Sequence, residues 1–462
     1  MLRSAERFFN SLKGKTAAFI GVGVSNTDTM RLFLSRGVRV IACDRKNPGQ
    51  LDADIAQLAD EGAELRLGEN YLDGLDADIV MRTPGMYFHR PELEAMRNRG
   101  VIVTSETEIF FGLAPCKTIA VTGSEGKTTT TTIIAEILKA QGHTVHLGGN
   151  IGRALLPLIF DIKPGDIAVA ELSSFQLISM RPQPDVSVIT NITPDHLDVH
   201  RSLDEYINAK RNVYLHQTAF SRTVLNSDND ATASFIPEVR GECMEFSLKK
   251  PVYHGAYLEK DEIVISIYGE KRAVMPIDAI KLPGMHNAAN YMAAICAVWG
   301  DAGVDAIRKT AEDFAGVEHR LEFVREVGGV RWFNDTIATA PMGVIAGLRA
   351  FGQKLIIIGG GSDKGISYSP LAPEFIERVK LLILTGPTGP MIADAVRTHP
   401  DYNGSNPIIV MAKDIPHAVE IARERAVSGD IVSLSPASAS FDAYTNFAAR
   451  GRHFKELVNA LR

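Results

Sequence analysis

Val121-Thr122-Gly123-Ser124-Glu125-Gly126-Lys127-Thr128-Thr129 joins an apolar run, Thr118 to Val121, to a stretch with helical spacing, Thr128 to Gln141. A strand that ends in a glycine turn and opens a helix is a ready anion cradle. Without Cβ atoms the chain can close its N–H groups on a phosphate, and the helix start adds its positive end. Lys127 adds a full charge, and Thr128 places a hydroxyl where a metal ion would sit. The usual P-loop has a glycine five positions before Gly126, where this chain has Val121. Gly126, Lys127 and Thr128 still fall in register after the apolar run, which favours a nucleotide-phosphate site over an ordinary turn. The same stretch predicts an α/β fold.

Upstream, residues 17–20 read as a buried strand entering Gly21-Val22-Gly23-Val24-Ser25-Asn26. Helical spacing over 29–35 and a strand over 38–42, ending at Asp44, complete the plan of a dinucleotide-binding unit. Asn26 replaces the third glycine, which points away from a nicotinamide cofactor and towards another nucleotide-linked ligand. Strand 79–81 leads to Thr83-Pro84-Gly85, at the edge where open parallel sheets hold ligands.

Downstream, residues 145–147 precede Gly148-Gly149-Asn150, and strand 167–170 delivers Glu171, followed by Leu172-Ser173-Ser174-Phe175-Gln176. Strand 186–190 delivers Asn191 to Asp198. Two strands thus present candidate metal ligands, Glu171 and His196, beside the phosphate loop. Magnesium prefers oxygen, so His196 is an unusual ligand for it. Taken alone His196 reads as a satisfied histidine; its place on a strand-end loop with Asp195 and Asp198 points to the site. Lys210, on a helix over 203–213, reads by itself as a solvated charge. Asn287 and Asn290 lie on one face at the start of an apolar helix over 288–302. They are either a pair of amides reading a base edge or an N-cap and its exposed neighbour.

Residues 223–276 alternate short strands and turns. A third alternating unit then places Asn334-Asp335-Thr336, Gly359 to Lys364 and Ser435 to Asp442 at strand ends. A length of 462 residues allows about three domains of roughly 150 residues, which the pattern resets place at 1–107, 108–316 and 317–462. Forty-nine Lys+Arg against 55 Asp+Glu, net charge -6, gives no bulk attraction to nucleic acid or to an anionic membrane. The four cysteines lack zinc or disulfide spacing, which predicts reduced thiols and a cytoplasmic protein. No signal peptide and no membrane span is expected.

One phosphate loop, a strand-end glutamate, a His-Asp loop and a further polar-lined unit point to an ATP-using enzyme with a separate acceptor domain. Over nearly its whole length the chain resembles the Mur ligase family. The segments Thr122 to Thr129, Asn191 to Asp198 and Gly284 to Asn290 carry the resemblance and are similar in folylpolyglutamate synthases too. Glu171 to Leu177, Leu434 to Asp442, Asn446-Phe447 and Arg450 to Phe454 resemble the branch that adds glutamate.

The resemblance implies an N-terminal Rossmann-like UDP-binding domain, a central P-loop-type ATP-binding domain with a mainly parallel sheet plus a small β region, and a C-terminal Rossmann-like domain. It implies a monomer that uses ATP and Mg²⁺ to activate the carboxylate of UDP-N-acetylmuramoyl-L-alanine as an acyl phosphate. The amine of D-glutamate would then attack it, in peptidoglycan precursor synthesis. Lys127 would hold the β- and γ-phosphates within the ATP loop Gly123, Ser124, Glu125, Gly126, Thr128 and Thr129. Asn287 and Asn290 would meet adenine, and Arg320 and Asp335 would reach ATP from the third domain. Thr128, Glu171, His196 and Lys210 would serve magnesium, Lys210 as a carbamate. Val24, Ser25, Asp44, Arg45, Thr83, Pro84, Gly85, Asn150, Ser173 and Gln176 would bind the UDP substrate. Thr339, Lys364, Ser440, Phe441 and Phe447 would bind glutamate, with Lys364 also counted among the catalytic groups.

Two departures fall in the amino-acid pocket. Ile337 stands where many relatives have lysine, and the loop at Asp363-Lys364 differs in length from some of them. L-Glutamate or another amino acid therefore stays open as the acceptor. An oxidoreductase built on Gly21-x-Gly23 and Asp44 would leave Lys127, Glu171 and His196 without work, and a nucleotide switch would need no amide chemistry.

Overall fold

Apolar strands of three to seven residues, most of them separated by helices, build three sheets in this computed structural model. It describes residues 4–50, 53–193, 200–282, 284–363 and 365–462, without the side chains of residues 24, 25, 50, 53, 54 and 342. Contacts divide the chain into two units, residues 1–281 with 285–314 and residues 282–284 with 315–462.

The first unit holds two sheets. Strands β1 (Thr16–Ile20), β2 (Arg39–Asp44), β3 (Glu64–Leu67), β4 (Ile79–Arg82) and β5 (Ile102–Thr104) lie in the order β3-β2-β1-β4-β5, all parallel. The order reverses between β1 and β4, so their carboxyl ends flank a switch point of the kind at which such sheets bind ligands. There the Gly21 turn meets Thr83: a Cβ on Gly21, at φ 92°, would lie 2.7 Å from Thr83 Cγ2. The helix expected over 29–35 begins earlier, at Val24, with Gly23 as its N-cap.

The second sheet comprises β6 (Lys117–Thr122), β7 (Val145–Gly149), β8 (Ile167–Glu171), β9 (Val186–Ile189), β10 (Arg222–Asn226), β11 (Glu242–Ser247), β12 (Gly255–Glu259), β13 (Glu262–Ile267) and β14 (Glu270–Pro276). Their order is β14-β13-β12-β11-β10-β9-β6-β8-β7, antiparallel only where β13 pairs with β12 and β14. The small β region is therefore the far edge of the same sheet. Strands β6 and β8 are buried nearly throughout, as central parallel strands covered on both faces should be. Because β6 lies between β8 and β9, whatever follows it is flanked by the carboxyl ends of both.

Helix Lys127–Gln141 buries Ile133, Ile134, Ile137 and Leu138 and stops at Gly142, in the left-handed conformation that closes helices. The apolar helix expected over 288–302 runs instead over Met285–Val298. Chain passes from the first sheet to the second through helix Glu106–Leu113, so a division after residue 107 falls inside a helix. Phe110 and Phe111 of that helix join Phe19 and Phe33 in one apolar core with Leu172 and Leu177.

The second unit holds β15 (Glu322–Val327), β16 (Val330–Asn334), β17 (Leu355–Gly360), β18 (Val379–Thr385), β19 (Ile408–Met411) and β20 (Ile431–Leu434), ordered β15-β16-β20-β17-β18-β19. All pairs are parallel except β15 with β16. Helices Pro341–Arg349, Leu371–Arg378 and Gly389–Arg397 share the core of one face, and Ile415–Arg425 and Phe447–Ala460 that of the other. Among the described residues no helix is long and apolar enough to cross a membrane.

Candidate active site

Strand β6 hands the chain to Gly123 at φ 147°, and Gly126 at φ 76° opens the helix at Lys127. Both glycines are also dictated by crowding: a Cβ on Gly123 would collide with Thr190 Oγ1, and one on Gly126 with Asn290 Oδ1. The loop is braced from the end of β9. Ser124 N donates to Asn191 O at 2.9 Å, Glu125 N to Asn191 Oδ1 at 2.9 Å, and Thr190 Oγ1 to Glu125 O at 2.5 Å. Ser124 Oγ meets Tyr206 OH at 2.8 Å.

Charged and oxygen-bearing groups gather on this loop. Lys127 Nζ donates to Ser124 O at 2.8 Å and Lys210 Nζ to Gly123 O at 2.7 Å. Two ammonium groups thus rest on neighbouring carbonyls of one turn. Lys210 is buried and lies 4.7 Å from the centre of the Tyr206 ring, so the solvated charge suggested by its helix alone is not what the fold produces. Glu171, also buried at the end of β8, accepts from Thr128 Oγ1 at 2.6 Å and from Asn150 Nδ2 at 2.7 Å. Thr129, the next residue of the helix, is half-buried.

Asn287 and Asn290 are both buried, and Asn287 is the third residue of its helix, which overturns the N-cap alternative. Asn290 Nδ2 donates to Asn287 Oδ1 at 3.0 Å, and Thr130 Oγ1 to Asn290 Oδ1 at 3.2 Å. The amide pair therefore stands against Gly126 and the phosphate-loop helix. His196 lies outside the described residues, together with Asp195 and Asp198.

At the first sheet's switch point, Asp44 accepts from Val22 N and from Lys46 N, each at 2.9 Å, so its carboxylate closes the glycine turn. Asn26, where a third glycine was sought, is buried and donates to Gly21 O at 2.8 Å. An amide braces this turn from within. Arg45 is exposed just beyond β2; the backbone of Val24 and Ser25 opens the helix, and their side chains are outside the description. Thr83 and Pro84 are half-buried and Gly85 exposed. Pro84, Asn150 and Gln176 line one cavity of about 80 Å³. Ser173 and Gln176 form a capping box at the helix after Glu171, and Gln176 Nε2 also donates to Thr107 Oγ1 at 3.1 Å.

In the second unit Asp335 follows β16. Its Oδ1 accepts from Leu321 N at 3.1 Å and its Oδ2 from Ser435 Oγ at 3.3 Å. Burial pushes its carboxyl up to about 7, against the opposing pull of Arg320. Arg450, buried under both loops, donates to Thr336 Oγ1 at 2.9 Å, Ala439 O at 3.0 Å, Ser438 O at 3.1 Å and Thr336 O at 3.2 Å. Thr336 Oγ1 donates to Phe447 O at 3.2 Å. The segments bearing Thr339, Ser440 and Phe447 are thereby tied together; Ser440 is buried, Thr339 half-buried and Phe441 75% exposed. Lys364 lies outside the described residues. Glu318, His319 and Glu322 cluster like metal ligands, but Lys455 Nζ sits 2.8 Å from both carboxylates and supplies the balancing charge.

Sequence reasoning missed Thr190, Tyr206 and Ser435, whose roles depend on neighbours distant in the chain. It gave Arg450 no role and passed over Arg82. A charged residue closing the otherwise apolar strand Ile79–Arg82 was the signal available for the latter.

Residues 121–298 match the Mur ligase middle domain, and residues 319–438 the Mur ligase glutamate ligase domain. The UDP-N-acetylmuramoylalanine–D-glutamate ligase of Acetivibrio thermocellus is 44% identical over 457 residues, 98% of either chain. The protein of that name from Clostridium novyi is 42% identical over 462 residues, the whole of both. Among solved structures, a UDP-N-acetylmuramate-alanine ligase from Thermotoga maritima matches with a TM-score of 0.58 at 20% identity, covering 96% of this chain and 99% of that one. A pseudomurein peptide ligase type C from Methanothermus fervidus matches at 0.54 and 18%, covering 97% of this chain and 100% of that one. These two support the fold. With the phosphate loop, the strand-end glutamate and identity that runs from end to end, the chain belongs to the Mur ligase family, in the branch of the UDP-N-acetylmuramoylalanine–D-glutamate ligases.

Proposed function

We propose that the protein joins D-glutamate to UDP-N-acetylmuramoyl-L-alanine at the expense of ATP, as a cytoplasmic monomer acting in peptidoglycan precursor synthesis. The full-length identity to D-glutamate ligases supports the substrates. The observation that carries the chemistry is the Thr128–Glu171 contact of 2.6 Å at the mouth of a glycine loop loaded with two lysines. A free carboxylate is a poor acyl donor at neutral pH, so it must first be activated. A carboxylate oxygen of the substrate attacks the γ-phosphorus, the bond to the β-phosphate oxygen breaks, and ADP leaves. The glutamate nitrogen then attacks the acyl carbon, phosphate departs with its oxygen, and the nitrogen loses a proton.

The chain's part in these steps is positioning and charge neutralisation. Main-chain N–H groups of the loop hold the phosphates, and Lys127 exchanges the Ser124 carbonyl for phosphate oxygens. The hydroxyl of Thr128 and the carboxylate of Glu171 are hard oxygen donors and fit magnesium. An ammonium at Lys210 does not, but its uncharged amine plus CO₂, with loss of a proton, gives a carbamate that offers oxygen in its place; His196 would serve a second ion. Magnesium, when bound, would neutralise charge on the transferring phosphoryl group. Asn287 and Asn290 receive adenine, Arg320 and Asp335 act on ATP, and Thr339, Lys364, Ser440, Phe441 and Phe447 receive glutamate. Residues 1–107, 108–316 and 317–462 carry most of these tasks as UDP-substrate, ATP and amino-acid domains, the first boundary passing within helix Glu106–Leu113.

Phosphate release from ATP with UDP-N-acetylmuramoyl-L-alanine, compared across D-glutamate, L-glutamate and other amino acids, tests the reading. Release that depends on D-glutamate is expected. Release only with another amino acid would move the assignment made at Ile337, and no amino-acid-dependent release would overturn the ligase.

A further inference from the structure

Strand β4 is buried along its length and ends in Arg82, of which 2% is exposed. A buried guanidinium is costly to desolvate, and burial brings this one down to about 10. Its hydrogen bonds go to three carbonyls and one hydroxyl. Nη1 donates to Thr83 O at 3.3 Å and Met86 O at 2.8 Å, closing the turn in which Met86 N donates to Thr83 O. Nη2 donates to Phe175 O at 2.9 Å and Ser179 Oγ at 3.2 Å, in and just after helix Ser174–Leu177. A planar fork fixes two segments in distance and angle, which an apolar side chain of equal volume does not do.

Both segments belong to the site. The turn contains Thr83, Pro84 and Gly85; the helix begins three residues after Glu171. Arg82 lines the cavity shared by Pro84, Asn150 and Gln176. On its other side the same helix is held by Asn212, two residues beyond Lys210, whose Nδ2 donates to Leu177 O at 2.9 Å. Tyr87 OH donates to the carboxylate of Glu205, tying the chain beyond the turn to the helix that carries Lys210.

We propose that Arg82 is a positioning residue for the UDP-linked substrate, locking the Thr83–Met86 turn to the helix after Glu171 so that the two present one preformed surface to that substrate. The assignment rests on the ligase reading given above. A binding surface that has to be ordered when the substrate arrives loses affinity to that ordering. Arg82→Met is therefore expected to raise KM for UDP-N-acetylmuramoyl-L-alanine about tenfold, with KM for ATP and for D-glutamate within about twofold of wild type. Thermal stabilisation by ATP-Mg should survive while that by the UDP substrate shrinks. Arg82→Lys keeps the charge without the fork and should retain the raised KM; it also serves if the methionine variant fails to fold. An unchanged KM for the UDP substrate in the folded variant, whatever happens to kcat, would overturn the proposal and leave the ligase reading intact. A wild-type protein without D-glutamate-dependent phosphate release would sink both.

Discussion

The loop after β6 and the loops after β16 and β20 all hang from the carboxyl ends of parallel strands, yet they are held in different ways. At Gly123–Gly126 the turn is shaped by crowding from Thr190 and Asn290 and by hydrogen bonds to Asn191. Lys127 rests on the carbonyl of Ser124, a contact that phosphate oxygens can take over. At Thr336 and Ser438–Ala439 the loops are fastened by one buried arginine whose acceptors belong to the protein itself. The first device keeps charge available for a ligand; the second spends its charge on architecture. Substitution in the first should cost turnover, and in the second stability.

The largest test of that contrast is Lys127→Met. A cation aimed at a transferring phosphoryl group is worth on the order of a thousandfold in kcat, so phosphate release should fall by about that factor while the melting temperature scarcely moves. A large fall in melting temperature with turnover intact would place Lys127 in the second class. Next comes Arg450→Met, which leaves buried carbonyls without donors and should destabilise the second unit by about 3 kcal/mol. The chain has two tryptophans, Trp299 and the buried Trp332 of the second unit. In a Trp299→Phe background the urea transition of Trp332 reports on that unit, and an unshifted midpoint would break the comparison.

A third test is a pH slope. Asp335 holds its proton to about pH 7 when folded, against about 4 when unfolded. Between those values the native state binds more protons than the unfolded one, so stability falls as pH rises through the window and levels off on either side. Asp335→Asn should flatten this slope in the Trp332 transition measured between pH 4 and pH 7. An equal slope in the variant would assign it to other groups.

Much of this was legible in the chain because strand ends announce themselves: apolar runs gave β6, β8 and β16 almost residue for residue, and Glu171 and Asp335 stand where the last two of those runs stop. Periodicity was less informative at helix starts. Gly23 and Gly126 cap their helices without a side chain, and Val24 and Met285 begin helices earlier than the spacing implied. The burial of Lys210 and the fork of Arg82 could not be read locally, since the acceptors of Lys210 and of one arm of Arg82 lie 87 and more residues away. The edge strands β12 to β14 read as a separate small region because turns, not helices, connect them; only pairing shows that they extend the main sheet.

The crowding at Gly123 and Gly126 bears on selection for drug resistance. An inhibitor that packs against the main chain of Gly123 to Gly126 would contact atoms whose positions no single codon change at either glycine can alter without displacing Thr190 or Asn290. Because any side chain there intrudes on the turn that must also receive nucleotide, escape mutations would have to arise at other positions. The two glycines mark a surface on which the room for substitution is small.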